Sequence, residues 1–471
     1  MSDWRGFAFL LVAAAVPLAL LTLRRERELL AWVCLTVGVN IFDARVGLNL
    51  PAARLVGLLV LPFAALGAFH LQELLRTSAF RLLLLQFGYL LLIGFIFGVL
   101  YPWEVHGFSR GWAQGAHGRT LIYLVRMLAD LGVVLFTARQ IASGMRPSTL
   151  VKLLLLGTTI AALGGLAEFV TDIQLYQGLT GYPINVLAAR VRGFNFEPRG
   201  LGLAMAHGIF LALLLYLFRR SRAALTLVAL HAAVLLLSVS TSGVSAAVAA
   251  WTGLMIVEPR VRRPSLWFAA GAAITVVALV TWGSQSTLVQ SWGFNLLQRF
   301  SIQDISRLVA NASADTLVLF LDIFDLTAFM ALRAYPWAAL VGAGPGLISI
   351  PGSVFIPDTP RWAWAATSGE GVSNVPSMGI LLEWSNGGVI GVALWIGVVV
   401  AVLGAFRRLV DSDPEERAEW RLARGAFVVG ACAYLLQASP LSAMWPVLLG
   451  LGIGCAHVAS RRSSIPGDGH P

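Results

Sequence analysis

The chain has 471 residues, of which 58% are hydrophobic and only 12% are charged, and its mean hydropathy is +0.78. Soluble domains carry about 25% charged residues, so this chain has too few to cover a water-soluble surface. Composition therefore excludes a soluble enzyme, a disordered chain and a secreted disulfide scaffold. It predicts an all-α, polytopic integral membrane protein.

Long apolar segments predict about 12–13 transmembrane helices in a single transmembrane domain over residues 1–471. The second segment is short, which fits a tilted or re-entrant helix. No site of small residues for signal-peptide cleavage precedes Arg24 and Arg25, so we expect the first segment to be retained. The predicted segments are 6–23, 29–42, 54–70, 82–100, 120–137, 149–169, 200–218, 223–240, 242–257, 266–283, 377–404, 425–439 and 444–459.

Arginines concentrate in alternate connections between these segments, and a single lysine, Lys152, stands among 34 basic residues. Short basic connections stay in the cytoplasm, so the connections 101–118, 170–199 and 284–376 are predicted to face outward. An odd number of helices then places the N-terminus outside. The formal net charge of +10 is thereby explained by topology, and we predict no binding of nucleic acid.

The longest outer connection, residues 284–376, is predicted to be a large extracytoplasmic loop with short helices inserted within it. Ala314–Tyr335 predicts one such helix, in which Asp315, Asp322 and Asp325 share one face. We interpret this helix as a cap or linker, with a helix in the plane of the membrane interface as the alternative.

The densest polar cluster has the sequence RVRGFNFEPRG, at residues 190–200, and precedes the seventh predicted helix. Arginine binds diphosphate through bidentate, charge-assisted hydrogen bonds, so Arg190, Arg192 and Arg199 suggest a diphosphate clamp. Pro198 can begin a helix whose first N–H groups also face an anion. The alternative is an interfacial loop whose arginines bind lipid headgroups or Glu197.

Two charged residues, Arg126 and Asp130, lie four positions apart within the fifth predicted helix. Charges inside a membrane are costly, so an ion pair between them is the economical interpretation. The alternative is that Arg126 lines a cavity and contacts the phosphates of a donor. His207 and His231 also fall within apolar segments, and we expect them to be core residues.

Three features lie beyond residue 340: the glycine run 341–346 (VGAGPG), the pair Ser373-Asn374, and Glu383 at the entry to a predicted helix. The glycine run follows no βαβ pattern, so it is more typical of a turn than of a phosphate-binding loop. The three cysteines lie in apolar segments without a metal-ligand spacing, so no metal site is predicted.

Together these segments resemble the O-antigen polymerase and O-antigen ligase superfamily of bacterial envelope polysaccharide enzymes, over about residues 150–400. That family has an arginine loop of the form R-x-x-G-x-F-x-x-P, a serine-rich junction, a glycine turn and an L-x-E-x-G helix entry. Arg190, Gly193, Phe194 and Pro198 approximate the first motif, with Phe194 one position early. The other corresponding positions are Ser238, Ser240 and Ser242, then Gly342, Gly344 and Gly346, and finally Glu383.

The resemblance implies a metal-independent glycosyltransferase of the bacterial inner membrane, with its active site facing the periplasm and no cofactor. Its substrates would be a polyprenyl-diphosphate-linked oligosaccharide and an acceptor glycan. The family's ligase branch has a histidine where this chain has Ser373, which favours a polymerase of O-antigen-type repeat units. A ligase acting on lipid A core and a lipid-linked oligosaccharide transporter remain alternatives. A need for other polysaccharide assembly proteins stays open.

Within this hypothesis, Arg192 and Arg199 stabilise the leaving diphosphate, and Glu197 acts as general base. Glu197 paired to Arg199 is an equal alternative, and Glu383 or Glu370 would then serve as the base. The residues predicted to bind substrate are Arg190, Arg126, Arg333, Arg361, Asn374 and Glu383.

Overall fold

A computed structural model describes residues 4–39, 52–63, 71–103, 115–180, 191–195, 197–238, 240–262, 323–355, 375–438 and 443–464. These residues are helical with short connections, and no strand occurs among them. The first helices are α1 (Trp4–Thr22), α2 (Glu26–Gly38), α3 (Ala52–Phe63), α4 (Leu71–Leu74), α5 (Ser78–Phe95), α6 (Ala116–Ala142), α7 (Pro147–Thr171), α8 (Leu175–Thr180), α9 (Pro198–Arg219), α10 (Arg222–Ser238) and α11 (Thr241–Val257). Those that follow are α12 (Ile323–Ala334), α13 (Pro336–Val341), α14 (Ser349–Gly352), α15 (Gly379–Ser412), α16 (Arg417–Leu436) and α17 (Met444–Ser464).

Within the described ranges, five helices are long and apolar enough to cross a membrane: α5 with the π-helical turn Ile96–Leu100 that extends it, α6, α7, α9 and α15. The prediction of an all-α protein is confirmed, and the apolar helices support a membrane-embedded one. Each predicted segment in the described residues contains a helix, and segment 266–283 lies outside them. α9 is apolar on all sides and lies buried at the centre.

The segment predicted as one large outer loop is described only over residues 323–355 and 375–376. The helix expected from Ala314 is described from Ile323 to Ala334, so Asp315 and Asp322 lie outside the described residues. Asp325 is buried and accepts hydrogen bonds from the backbone N–H groups of Ser377 (2.7 Å) and Met378 (2.9 Å). It therefore ties α12 to the start of α15, which fits a linker helix.

The helix ends next to the basic connections meet at one end of the bundle, here called the arginine-rich end. Glu26 at the start of α2 binds Arg139 (3.0 Å) near the end of α6. Glu258, directly after α11, binds Arg424 (2.9 Å) of α16. Further ion pairs at this end join Arg421 to Glu258, Arg219 to Glu419, Arg461 to Glu73, and Arg462 to Asp413 and Glu416.

The described parts of the predicted outer connections meet at the other end, here called the opposite end. The Trp103 indole N–H donates to the Ala343 carbonyl oxygen at 3.2 Å. The Tyr89 hydroxyl donates to the Val341 carbonyl oxygen at 2.7 Å, which joins α5 to the end of α13. The two sets of connections inferred from arginine distribution are thus separated in space.

Two short helices reach only half the height of the bundle. α2 begins at the arginine-rich end and stops at Gly38, whose backbone packs on Gly157 halfway along α7. α3 begins beside the middle of α6, where Gly57 packs on the backbone of Ala129 and Gly132. Side chains at these glycines would meet backbone atoms, so the close approach depends on small residues. The half-height end of α2 agrees with the prediction that this segment is short, and a tilted and a re-entrant helix both stay open.

Candidate functional site

A cavity of about 210 Å³ lies between the half-height level and the opposite end, enclosed by α3, α5, α6, α9, α15, α16 and α17. Most of its wall is apolar, as expected inside a bundle of hydrophobic helices. Its polar lining residues are Arg54, Gln86, Tyr123, Arg126, Asp130, His207, Glu383, Asn386, Tyr434 and Gln437. These side chains lie on or directly after six helices that are far apart in the sequence, so only the folded chain brings them together.

One face of α6 carries a row of polar side chains. Arg119, Tyr123, Arg126 and Asp130 recur at intervals of four, three and four residues, which places them on one side of the helix. The Tyr123 ring lies between two guanidinium groups, with the Arg126 Cζ atom 5.1 Å and the Arg119 Cζ atom 5.9 Å from its centroid. Such cation–π contacts stabilise arginine where water is scarce.

The carboxylate of Asp130 is bound by Arg54 in a bidentate ion pair. Arg54 Nε lies 2.6 Å from Oδ1, and Arg54 Nη2 lies 2.9 Å from Oδ2. Asp130 therefore has an ion-pair partner on another helix, because α3 begins beside the middle of α6. Asp130 also attracts Arg126 electrostatically, which fits the predicted pairing, and Arg126 lines the cavity, as the alternative interpretation from sequence expects.

Glu383 on α15 supplies a second carboxylate to the cavity. Its Oε2 atom accepts a hydrogen bond from the Gln86 side-chain amide at 2.9 Å, and its Oε1 atom accepts one from the Tyr434 hydroxyl at 2.6 Å. Donors on α5 and α16 thus hold the carboxylate in one orientation. Arg54 and Asp130 also lie close enough to Tyr434 to interact with it electrostatically, so the two carboxylates belong to one polar network.

α15 is interrupted at Gly388, whose φ of +63° and ψ of −161° are not helical. The break frees the carbonyl oxygens of Ser385 and Asn386, which accept hydrogen bonds from the N–H groups of Ala343 (2.8 Å) and Gly344 (3.2 Å). A substituent at Gly388 would collide with the backbone of Leu340. Glycine is therefore required here by both conformation and space.

The glycine run 341–346 forms the turn that fills this break. Gly342, Gly344 and Gly346 have φ values of +92°, +95° and +71°, and the side-chain oxygen of Asn386 accepts the Gly346 N–H at 3.0 Å. The Gly346 carbonyl oxygen accepts from the Arg119 Nε–H at 2.9 Å. The N–H groups of Ala343, Gly344 and Gly346 donate to α15, and that of Gly342 donates to the Ala338 carbonyl oxygen. The run is therefore a structural turn, and it forms one wall of the cavity through Pro345.

Aromatic rings form another part of the cavity wall. Trp395, Tyr434 and Trp445 all line it, and their ring centroids lie 5.4 to 6.0 Å apart. Flat aromatic faces are suited to contact with sugar rings. No sequence signal marked these residues as candidates for a site, because tryptophans are common at the membrane interfaces of any membrane protein.

His207 on α9 also borders the cavity. Its Nδ1 atom lies 2.8 Å from the Leu203 carbonyl oxygen, so the Nδ1–H group donates to that oxygen. The Nδ1 atom of His231 faces the Leu227 carbonyl oxygen at 2.6 Å, and its Nε2 atom lies 3.1 Å from the Thr158 hydroxyl. Both histidines are buried, as expected, and His207 also lines the cavity.

The structure brings some predicted site residues together and separates others. Arg126 and Glu383 both line the cavity. Arg199 donates to the Gln437 side-chain oxygen (3.2 Å) and to the Ala438 carbonyl oxygen (3.3 Å), and both of these residues line the cavity, so Arg199 lies at its rim. The remaining predicted residues do not join this group: Arg192, Glu197 and Arg333 lie elsewhere, and Arg190, Arg361, Asn374 and the alternative base Glu370 lie outside the described residues.

The arginine loop before α9 is anchored to α7. The Glu168 carboxylate accepts the N–H groups of Gly193 (2.6 Å) and Arg192 (3.4 Å), and Gly193 adopts a φ of +57° against the backbone of Gly164 and Gly165. Arg192 is only 6% exposed, and burial lowers its pKa. The loop therefore holds Arg192 away from the cavity lining, contrary to the expectation of one arginine clamp.

Glu197 and Arg333 are both exposed. Glu197 occupies the N-cap position of α9, and its side chain does not cap the helix. Arg333 lies in the last turn of α12. Neither residue is among those lining the cavity, so the carboxylate that the cavity offers from the predicted set is Glu383.

Arg54, Gln86, Tyr434 and Gln437 were missed by sequence reasoning. The sequence signals were weak: helical spacing of polar residues on α6, and an arginine at the start of an otherwise apolar segment.

The described residues contain no group of three His, Cys, Asp or Glu side chains placed to hold a metal ion. No family model matches the chain, and the search of curated proteins finds no significant match.

Proposed function

We propose that the protein is a membrane glycosyltransferase that transfers a glycan from a polyprenyl-diphosphate carrier to an acceptor sugar, polymerising O-antigen-type repeat units. The observation that carries this proposal is the cavity in which Arg126 and the Arg54–Asp130 pair share an apolar bundle with Glu383. Guanidinium and carboxylate groups inside such a bundle are costly to maintain, which favours a use in chemistry or substrate binding.

The guanidinium group of Arg126 is suited to bind the diphosphate of the donor. Tyr123 holds it from one side, and the Arg54–Asp130 pair lies beside it in the cavity lining. Negative charge develops on the diphosphate when its bond to the sugar breaks, and preorganised guanidinium groups stabilise that charge most where water is excluded. Leu83, Phe87 and other apolar residues of the wall are compatible with the first prenyl units.

Glu383 is suited to act on the acceptor. The acceptor hydroxyl transfers its proton to the Glu383 carboxylate, its oxygen bonds to the anomeric carbon of the donor, and the bond from that carbon to the diphosphate oxygen breaks. The electron pair leaves with the diphosphate, next to Arg126. Gln86 and Tyr434 hold the carboxylate in place, and Trp395 and Trp445 offer faces for the sugar rings.

Arginine distribution supports the proposed orientation. The cavity lies towards the opposite end, which would face the periplasm if the arginine-rich end lies in the cytoplasm. A bacterial inner membrane with an outward-facing site follows from this orientation together with the family resemblance. Ser373, which replaces the ligase histidine, favours polymerisation over transfer to lipid A core.

The direct test uses the purified chain in detergent, supplied with a polyprenyl-diphosphate-linked oligosaccharide repeat. We expect release of free polyprenyl diphosphate together with products of two or more repeats, both measured by mass spectrometry. Glu383→Gln should abolish product formation, whereas Glu197→Gln should leave most of it. Absence of product with every acceptor tried, or equal loss in the two variants, would contradict the assignment.

Deletion of the gene in its host separates polymerase from ligase. The envelope glycans are resolved by size and by the lipid to which they are attached. Single repeats on core would indicate that a polymerase is lost, and long chains on the carrier lipid would indicate that a ligase is lost.

Transport of a lipid-linked oligosaccharide is a second candidate, favoured by a specific observation. α2 and α3 reach half height, α15 is broken at Gly388, and charges lie inside the bundle, as in many transporters. Sealed vesicles distinguish the two functions. A transporter moves a labelled lipid-linked glycan between leaflets without forming a glycosidic bond, whereas a glycosyltransferase stays active in detergent, where no leaflets exist.

A further inference from the structure

A second and larger cavity of about 640 Å³ lies at the arginine-rich end, bounded by α7, α9 and α10. It takes no part in the proposed glycan transfer, because residues near the arginine-rich ends of these three helices line it. Three basic side chains, Arg146, Lys152 and Arg219, line it. Lys152 is the single lysine of the chain.

The lining changes from polar to apolar along the helices. Ser148, Thr149 and Ser221 lie near the starts of α7 and α10, at the rim. Leu155 and Leu156 follow Thr149 by about two turns, which corresponds to about 10 Å along the helix. Leu156 is 54% exposed, so its side chain is open to an apolar ligand or to lipid. A ligand that matches this wall is charged at one end and apolar at the other.

The charge at the rim is positive. Glu419 binds Arg219 and also accepts hydrogen bonds from the Ser148 N–H (2.9 Å) and hydroxyl (2.7 Å), so it offsets one of the three basic groups. Within the described part of the chain, Arg146 and Lys152 form no ion pair with a carboxylate, and both are exposed. α7 and α10 also begin here, and helix N-termini favour an anion.

We propose that this cavity binds one anionic phospholipid from the leaflet at the arginine-rich end. Its phosphate lies between Arg146 and Lys152, and an acyl chain lies along Leu155, Leu156 and Leu227. Basic pockets between helices are suited to anionic headgroups, and the apolar wall excludes a small hydrophilic anion as the best fit. The bound lipid fills the space between α7, α9 and α10 and stabilises their packing.

The test counts lipids bound to the purified full-length chain by native mass spectrometry, with phosphatidylglycerol or phosphatidylcholine added to the detergent. We expect one tightly bound phosphatidylglycerol and no tightly bound phosphatidylcholine. The double variant Arg146→Gln, Lys152→Gln should bind phosphatidylglycerol about 25-fold more weakly, from about fivefold per charge. Arg407→Gln, Arg408→Gln removes two exposed charges at the same end and should leave binding unchanged.

Two further measurements distinguish a lipid from a soluble anion. Thr159→Trp fills the apolar part of the cavity without altering charge and should also weaken binding of phosphatidylglycerol. Glycerol phosphate should compete only at concentrations far above those of the lipid. Equal binding in the double variant and the wild type, equal binding of the two lipids, unchanged binding in Thr159→Trp, or effective competition by glycerol phosphate would each overturn the proposal. Since the readout is lipid binding, its failure is separate from failure of glycan transfer.

Discussion

Charged residues are arranged differently at the arginine-rich end and in the cavity near the opposite end. At the arginine-rich end, guanidinium groups pair with carboxylates of other helices at every depth, from the buried Glu258 with Arg424 to the partly exposed Arg462 with Glu416. The partly exposed pairs contribute little each, up to about 1 kcal/mol, because water and salt screen them. They are consistent with a role in topology more than in stability.

In the cavity, charged groups lie among apolar helices and depend on one another. The side chain of Arg54 is 7% exposed and is neutralised by Asp130, and Arg126 is held against Tyr123. Burying such charged groups costs free energy, and packing of the helices does not need them. The same residue type, arginine, therefore reports topology at one end and a candidate site in the other region.

The largest expected effect is on catalysis. In the proposed function the Arg126 guanidinium group stabilises the leaving diphosphate, so Arg126→Ala should lower glycan transfer by about 10²–10³-fold. Arg408→Ala removes an exposed arginine at the other end and should leave the rate unchanged. The measurement is release of polyprenyl diphosphate in detergent, with thermal unfolding as a check on folding. Similar rates in the two variants would remove the functional distinction between the two regions.

The next effect is on stability. Asp130→Asn leaves the buried Arg54 without its partly exposed counter-ion, so the free energy of unfolding should fall by about 2 kcal/mol. Glu416→Gln breaks a partly exposed ion pair with Arg462, and the expected loss is less than about 1 kcal/mol. Thermal unfolding in one detergent gives both values. A loss for Glu416→Gln as large as that for Asp130→Asn would refute the proposed difference in energetics.

A backbone substitution tests the wall of the cavity. Gly388→Ala places a methyl group against the backbone of Leu340 and requires a left-handed conformation, so we expect a loss of about 2–3 kcal/mol. Gly404→Ala is the matched control, because it lies in the same helix and a Cβ there has open space around it. That variant should be neutral or slightly stabilising. Equal effects would mean that the break in α15 is not required.

The smallest effect is a dependence on pH at the arginine-rich end. The Asp413 carboxylate accepts a hydrogen bond from the Glu416 N–H and also binds Arg462. These interactions hold the pKa of Asp413 below the ordinary aspartate range. The contribution of ionised Asp413 to the free energy of unfolding is therefore fully present above about pH 4. It is lost as the pH falls through the lowered pKa. The difference in unfolding midpoint between wild type and Asp413→Asn should vanish in acid. A difference that grows below pH 4 would contradict this sign.

Much of the helical arrangement could be predicted from the sequence. Hydropathy located α5, α6, α7 and α9 to within about five residues, and α15 continues eight residues beyond its predicted end at 404. Apolar segments of this length have few alternatives to a helix. Arginine distribution separated the connections into two sets, and ion pairs such as Glu26 with Arg139 place one set at one end. Both inferences use local composition, which needs no knowledge of packing.

Less of the candidate site could be predicted from the sequence. Arg126 and Glu383 were selected from sequence and do line the cavity, but Arg192 and Glu197 were selected on the same grounds and do not. A loop rich in arginine carries no information on which way its backbone is held. Glu168 on α7 fixes that backbone, and its partners Arg192 and Gly193 lie more than twenty residues away along the chain.

A bundle of apolar helices with arginines in alternate connections can be predicted from local sequence, because the free energy of transfer sets the helices and the positive-inside rule sets the arginines. The packing of the helices, in contrast, brings Arg54 from α3 to Asp130 on α6, and Gln86 and Tyr434 to Glu383. Hydrogen bonds between distant residues depend on helix packing and on the break at Gly388, and no periodicity in the sequence encodes them.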